Sequence, residues 1–247
     1  MPNIVQELYE TCSEVFAEAK AGYVPPSDDI QRLRLVLDNI KPEDINVAPT
    51  MPYFNGAHEH AEAPTPVTYI HIYDCEKFSI GIFCLPPSGT IPLHNHPGMT
   101  VFSKVLFGSM HIKSYDWVTD TTSPDNDHMN NIRRSQEPHH QLAKVCVDAD
   151  FTAPCETSIL YPAAGGNMHC FTALTACAVL DVLGPPYSDA EGRDCTYFDD
   201  SSRVFPSELS AEEGREGNDY AWLKETKKPE SFVLLGAMYD GPRISEN

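Results

Sequence analysis

Residues 67–117 indicate the fold: VTYIHIYDCEKFSIGIFCLPPSGTIPLHNHPGMTVFSKVLFGSMHIKSYDW. Apolar and polar residues alternate there in short runs that Gly, Pro and Ser interrupt, a pattern typical of β-strands joined by turns. The pattern continues in four later segments: QLAKVCVDADF (141–151), TSILYP (157–162), MHCFTAL (168–174) and CAVLDVLG (177–184). So many short strands without intervening helices predict an all-β barrel or double-sheet jelly roll over residues 67–184.

Two helices are predicted upstream of the strands, within residues 1–41. Their apolar stripes are Ile4, Leu8, Cys12, Val15 and Ala19 in the first, and Ile30, Leu33, Leu37 and Ile40 in the second. Each stripe covers one helix face, so we expect both helices to pack on the outside of a sheet. The polar stretch 118–140 predicts a long loop, and residues 185–247 predict a C-terminal wrap around the barrel. The whole chain, 1–247, is expected to form one domain.

Composition narrows the class of protein. The chain has 247 residues, of which 41% are hydrophobic and 21% charged, as in ordinary soluble globular proteins. Its formal net charge of -19 predicts that nucleic acid and anionic membranes are poor partners. The first residues lack a basic, then apolar, signal-peptide pattern, and no run is apolar enough to span a membrane, so we expect an intracellular protein. The eight cysteines contain no CxxC pair and are expected to be free thiols.

A metal site is predicted where two histidines follow one another at i and i+2. His94 and His96, at a predicted strand start, would project to the same face and into the barrel. The later segment YPAAGGNMHCF (161–171) offers His169 after a turn. This spacing resembles the two cupin motifs, which implies a cupin double-stranded β-helix and a three-histidine site. Where many cupins carry a glutamate ligand, this sequence has Val101, and such a carboxylate-free site suits a substrate that brings its own anionic thiolate.

Four runs of the sequence resemble a known family, the plant cysteine oxidases, which are relatives of animal cysteamine dioxygenase. The runs are PLHNHPGMTVFSKVLFGSMHIKSYDW (92–117), YPAAGGNMHCF (161–171), AVLDVLGPPYS (178–188) and GRDCTYF (192–198). The resemblance implies one Fe(II) per chain, held by His94, His96 and His169. It also implies that O2 is the co-substrate, that 2-oxoglutarate is not needed, and that an N-terminal cysteine is oxidised to cysteine sulfinic acid.

The resemblance assigns further site residues. Asp181 and Tyr187 match the family's residues beside the iron, where a carboxylate could hydrogen-bond an incoming α-amine and a phenol could position oxygen or the thiolate. An aspartate in the apolar strand AVLDVLG is costly to bury without a purpose, which favours a functional role. Cys195 and Tyr197 resemble a cysteine and a tyrosine discussed as a crosslink in animal cysteamine dioxygenase, but nothing in the sequence establishes such a bond, and ordinary packing is the preferred interpretation. His71 and His111, within predicted strands, are expected to be structural.

The family's substrates imply the partners. They are proteins with an exposed N-terminal cysteine, for example group VII ethylene response factors, which are degraded after oxidation by the Cys/Arg N-degron pathway. The family therefore acts as an oxygen sensor in the cytoplasm, the nucleus or both, and we expect a monomer.

Two alternatives remain open at this point. One is a dioxygenase of small thiols, cysteamine or free cysteine, although a cysteine site should carry a basic clamp and the segments around the histidines contain only Lys104 and Lys113. The other is a non-catalytic, metal-binding cupin.

Overall fold

The computed structural model describes residues 3–55, 65–118, 140–200 and 220–246. Two α-helices come first, α1 (Ile4–Val15) and α2 (Ser27–Asn39), followed by short 3-10 helices at Pro42–Ile45 and Pro52–Phe54. The strands are, in chain order, β1 Val67–Asp74, β2 Ser79–Leu85, β3 Thr90–Asn95, β4 Thr100–Phe107, β5 Ser109–Trp117, β6 His140–Thr152, β7 Ser158–Leu160, β8 Met168–Ala173, β9 Cys177–Gly184, β10 Tyr197–Asp200, β11 Tyr220–Thr226 and β12 Leu234–Met238; a third 3-10 helix lies at Asp189–Glu191.

The strands form two layers. One is a six-stranded sheet in the order β12-β1-β2-β9-β4-β7, and the other closes on itself in the order β10-β11-β6-β5-β8-β3. All pairings are antiparallel except that between β1 and β12. This is the arrangement of a cupin double-stranded β-helix, so the predicted fold class is confirmed. The space between the layers holds a core to which both contribute, with Val105 and Val179 facing Ile112 and Phe171.

The N-terminal helices cover the outer face of the six-stranded sheet, as predicted. Leu8 and Val15 of α1 and Leu37 of α2 are fully buried, in one cluster with Ile82 of β2 and Val182 of β9. Burial of such apolar side chains stabilises the contact by about 1.5–3 kcal/mol each. Because Leu180 and Val182 of β9 both face the helices, the residue between them, Asp181, points the other way, toward the space between the layers.

The structure differs from the expectations at two places that matter for the site. His94 lies at the end of β3, not at a strand start, and His96 follows one residue after that strand. Beyond residue 184, in the predicted wrap, β10 and β11 complete the closed layer and β12 extends the open one. The pairing of β10 with β3 brings Tyr197 next to His94.

Several expectations concern residues outside those described. The predicted loop at 118–140 lies almost wholly outside them, as does the middle of the wrap. The prediction that the chain is one domain stays a prediction. Among the described residues, neither helix has the length and apolar character needed to cross a membrane. All eight cysteines are free thiols.

Candidate metal centre and its surroundings

Three histidines converge between the two layers. His94 of β3 pairs in register with His169 of β8, and His96 follows two residues after His94. The ring centroids are 4.8 Å apart for His94 and His96, 5.0 Å for His94 and His169, and 4.6 Å for His96 and His169. One nitrogen from each ring lies within 4.8 Å of the others. The sequence-predicted triad is therefore assembled.

Alternation along the strands explains why these rings face inward. On β8, Met168 and Cys170 pack inside the closed layer, so His169 and Phe171 point the other way, into the space between layers. On β3, a register shift between Ile91 and His94 turns the His94 ring inward. Without the shift, residues three positions apart would face opposite sides of the strand; with it, both face the space between the layers. The His169 ring lies on Phe171, with centroids 4.3 Å apart.

Burial keeps the three imidazoles neutral. Burial lowers the pKa of His94 to about 4 and that of His96 to about 3, and it lowers the pKa of His169 well below its ordinary value. The Nδ1 of His94 lies 2.8 Å from the Pro92 carbonyl, and the Nδ1 of His96 lies 3.0 Å from the Asn167 carbonyl. Since a carbonyl only accepts, each Nδ1 carries the proton, and each Nε2 has a free lone pair.

These residues fit a divalent transition metal. Neutral imidazoles whose second nitrogen donates to a carbonyl are the usual form of histidine ligands. Imidazole donors suit iron, zinc, copper and nickel, so the donor set alone does not select one of them. Among the described residues, no other group of three histidine, cysteine or acidic side chains comes close enough together to hold a metal.

Asp181 lies on the layer opposite the histidine-bearing strands. On β9 its neighbours Leu180 and Val182 face the helices, so its own side chain points inward; only 4% of its surface is exposed. The inferred partner of its carboxylate is Ser103 of β4, the residue beside it in the ladder. Its Oδ1 has no hydrogen-bond partner among the described residues. Burial raises the pKa of Asp181 to about 7, although the Ser103 hydrogen bond opposes this.

Tyr187, Cys195 and Tyr197 form a wall beside the histidines, which we call the tyrosine wall. The Tyr187 ring lies 5.7 Å from that of His96, and the Tyr197 ring lies 6.3 Å from that of His94. The Cys195 side chain is within hydrogen-bonding reach of both phenols. Burial raises the pKa of both tyrosines and of Cys195, so all three are protonated at neutral pH.

The Tyr187 hydroxyl is already engaged. It donates to the carbonyl of Asn95 at 2.7 Å, and Asn95 is the residue between the two histidines. The Asn95 side-chain oxygen accepts from the backbone of Thr196 at 2.9 Å, between Cys195 and Tyr197. Asn95 thus ties the tyrosine wall to β3. Sequence reasoning missed this residue, although a polar residue between two ligands is a signal that could have raised it.

The other basic and imidazole side chains that the sequence singled out do not join the histidine cluster. Lys104 donates to Asp38 and to the Cys155 carbonyl. Lys113 lies 3.5 Å from Asp148 and 3.6 Å from Asp200. His71 is an exposed side chain beside Asp74, and His111 lies between Asp148 and Asp150. Neither lysine is free to act as a basic clamp.

The chain is similar to proteins of known activity over nearly its whole length. The family model described as PCO_ADO matches residues 36–244. Plant cysteine oxidase 2 of Arabidopsis thaliana is 59% identical over 98% of this chain and 83% of its own length. Plant cysteine oxidase 1 of the same plant is 55% identical over 98% of this chain and 80% of its own. The 2-aminoethanethiol dioxygenase of Homo sapiens is 30% identical over 88% of this chain and 82% of its own.

Proposed function

Because the chain belongs to the PCO_ADO family and is a thiol dioxygenase, we propose that it oxidises the N-terminal cysteine of protein substrates to cysteine sulfinic acid. The thiol gains both atoms of O2, and the four electrons that reduce O2 come from the sulfur, so the balance needs no further reductant. The proposed metal is Fe(II), one per chain, held by His94, His96 and His169. The observation that carries the proposal is the buried carboxylate oxygen of Asp181, which has no hydrogen-bond partner among the described residues and lies on the layer opposite a neutral three-histidine cluster.

The metal and the protein residues have separate tasks in this proposal. When bound, Fe(II) supplies the positive charge that favours the thiolate form of a substrate thiol and the redox chemistry that activates O2. Asp181 accepts a hydrogen bond from the substrate's α-ammonium group, whose positive charge keeps the buried carboxylate ionised. The Tyr187 hydroxyl keeps its proton and donates it in a hydrogen bond to the Asn95 carbonyl, so Tyr187 shapes and closes the site and does not transfer a proton from its resting position.

An amine is the substrate feature that this site can recognise. Asp181 provides an acceptor, while Lys104 and Lys113 are bound to other groups and cannot hold the carboxylate of free cysteine. An N-terminal cysteine in a peptide has an amine and no nearby carboxylate. Cysteamine also meets both conditions, so oxidation of cysteamine is the second candidate function, and relatives named 2-aminoethanethiol dioxygenase support it.

The biological setting is part of the same proposal. We infer group VII ethylene response factors as a class of substrate, and oxygen sensing through the Cys/Arg N-degron pathway as the role, from the resemblance of the sequence to the plant cysteine oxidases. We propose that the protein acts as a monomer in the cytoplasm, the nucleus or both. Oxygen sensing requires that turnover falls as O2 falls within the physiological range, which an oxygen titration of the initial rate would measure.

The direct test is mass spectrometry of a peptide beginning Cys-Gly-Gly, incubated in air with iron-loaded protein. We expect a gain of two oxygen atoms, about 32 Da, that is absent without O2. Parallel reactions with cysteamine and free cysteine rank the candidates. A protein that binds iron yet leaves all three thiols unchanged would contradict the proposal and favour a non-catalytic, metal-binding cupin.

A further inference from the structure

His96 needs support that a β-ladder does not give it. The strand β3 ends at Asn95, so the backbone of His96 lies beyond the ladder that holds His94. Only 3% of His96 is exposed, and its backbone N–H and C=O must still be paired. A ligand whose backbone is free to move cannot hold its ring at a fixed place.

The side chain of Asn167 replaces the missing ladder. Its Oδ1 accepts from the His96 backbone N–H at 3.2 Å, and its Nδ2 donates to the His96 carbonyl at 2.8 Å. The same Nδ2 donates to the Tyr161 carbonyl at 2.9 Å. This pairing needs a donor and an acceptor on one planar group, which an amide has and a carboxylate or a methyl group lacks.

The main chain of Asn167 also fixes the ring of His96. Its carbonyl accepts the Nδ1 proton of His96 at 3.0 Å, which selects the tautomer whose Nε2 is free for a metal. One residue therefore determines both where the His96 backbone lies and which ring nitrogen is available.

Asp116 holds Asn167 in turn. Its Oδ1 accepts from the backbone N–H of Gly166 at 3.0 Å and from that of Asn167 at 2.9 Å. Gly166 has a positive φ of 84°, and a Cβ there would lie 2.3 Å from the Ser114 hydroxyl oxygen. The turn before His169 is thus fixed by close packing and by one carboxylate on β5.

We propose that Asn167, anchored by Asp116, is a positioning residue that sets His96 for metal binding. This inference rests on the proposed metal-binding role of the histidines. Asn167 brings His96 and His169 together. It lies two residues before His169 in the chain, and its side chain is hydrogen-bonded to the backbone of His96.

The test measures Co(II) affinity of the full chain by competition with a chromophoric chelator, without reference to turnover. Loss of a group that orients a ligand typically weakens metal binding about 10- to 100-fold, and we expect Asn167→Ala to do so. Asn167→Asp has nearly the same shape and keeps an acceptor for the His96 N–H, but it loses the donor. It should also weaken binding, because a carboxylate then faces two carbonyls.

Asn39→Ala is the matched control. It also removes an asparagine whose Nδ2 donates to a backbone carbonyl, here that of Leu35 at 2.9 Å, but Asn39 is exposed on α2 and contacts no histidine of the cluster. Its removal should change Co(II) affinity by less than about 3-fold, below the range typical of ligand-orienting residues. The ligand-field absorption bands of bound Co(II) should shift in the two Asn167 variants and stay unchanged in Asn39→Ala.

A double-mutant cycle tests the link to Asp116. If Asp116 acts through Asn167, the variant Asp116→Ala/Asn167→Ala should bind Co(II) about as well as the weaker single variant. Thermal unfolding of the metal-free variants separates a general loss of stability from a local loss of affinity. Should Asn167→Ala fail to fold, Asp116→Asn carries the test, with a smaller loss expected because an amide oxygen still accepts.

Co(II) affinity and spectra equal to wild type in both Asn167 variants would overturn the inference. So would an equal loss in Asn39→Ala, since the effect would then not be specific, and so would a wild-type protein that binds no Co(II). A wild-type protein that binds Co(II) through Asn167-supported His96, yet oxidises no thiol with iron, would leave the inference standing and contradict the proposed function.

Discussion

The two sides of the site are built in opposite ways. On the histidine side, formed by His94, His96 and His169, the rings are neutral, and the outward nitrogens of His94 and His96 face backbone carbonyls. On the aspartate side, formed by Asp181 with Ser103, one buried carboxylate oxygen has no hydrogen-bond partner among the described residues. The first side resembles a finished binding site that needs an ion, and the second an acceptor that needs a donor.

This difference explains the shifts in pKa on each side. Burial disfavours charge, so it lowers the pKa of an imidazole and raises that of a carboxyl group. At neutral pH and without ligands, these shifts leave the histidines uncharged and Asp181 only partly ionised. A divalent cation then meets neutral ligands that need no deprotonation, and an ammonium group meets a carboxyl group that ionises in response.

The largest expected effect is on the histidine side. His169→Ala should abolish both metal binding and oxidation of a Cys-Gly-Gly peptide, because two imidazoles do not make a tight site. Metal content and mass gain of the peptide are the measurements. His71→Ala is the control, since that exposed histidine lies beside Asp74 and outside the cluster; it should leave both unchanged. Metal bound at wild-type affinity in His169→Ala would show that the three rings are not the ligands.

Asp181→Asn should affect the substrate and leave the metal. Hydrogen bonds to charged groups contribute about 1.5–3 kcal/mol, so kcat/KM for the Cys-Gly-Gly peptide should fall about 10- to 100-fold. Iron content should equal that of wild type. Turnover equal to wild type would show that Asp181 does not recognise the substrate. Loss of iron would show that Asp181 contributes to metal binding, which the account assigns to the histidines alone.

The same substitution should reveal the burial cost of the carboxylate. The pKa of Asp181 is raised from 3.8 to about 7 in the folded state, so the folded state is more stable when the Asp181 carboxyl group is protonated than when it is ionised. At low pH both states are protonated and there is no cost; as the pH rises toward about 7, the folded state loses stability relative to an asparagine variant. We expect urea unfolding of the metal-free proteins to show this as a difference in the free energy of unfolding. From pH 4 to pH 8, the stability of Asp181→Asn relative to wild type should increase by about a few kcal/mol. A difference that stays constant with pH would contradict this.

The tyrosine wall should give the smallest effect. Tyr187→Phe removes the hydrogen bond to the Asn95 carbonyl and should cost about 1 kcal/mol of stability, with kcat/KM reduced less than about 10-fold. Tyr239→Phe is a matched control, because the Tyr239 hydroxyl is buried without a hydrogen-bond partner among the described residues, and its loss should cost nothing. A much larger loss of turnover in Tyr187→Phe, with the protein equally stable, would mean that its proton takes part in the reaction.

The sequence predicted those parts of the molecule that depend on local patterns. Period-two alternation located β1, β2 and β4 to β9, and the HxH spacing with a later histidine located the cluster. The aspartate in AVLDVLG was found because a charge inside an apolar strand is costly. Each of these signals is local, except the link between the HxH pair and His169, which depended on the resemblance to the two cupin motifs.

The remaining features depend on contacts between distant residues. The segments of β10 and β11 are short and pair with β3 and β6, so their own sequence does not show that they complete a layer. Asn167 lies 71 residues from the histidine that it supports, and a lone asparagine after two glycines equally predicts a turn. Lys104, one of the two basic residues in the segments around the histidines, faces Asp38 of a helix 66 residues away in the sequence.

The measurement that tests the two-sided site most directly is anaerobic binding of two peptides to Co(II)-loaded protein, a Cys-Gly-Gly peptide and its des-amino form with a 3-mercaptopropionyl group. Wild type should bind the cysteine peptide about 10- to 100-fold more tightly, because only that peptide offers a donor to Asp181. Asp181→Asn should bind both peptides equally and keep its Co(II) affinity. Discrimination that survives in Asp181→Asn, or Co(II) affinity that is lost with it, would contradict the assignment of the metal to one side and the amine to the other.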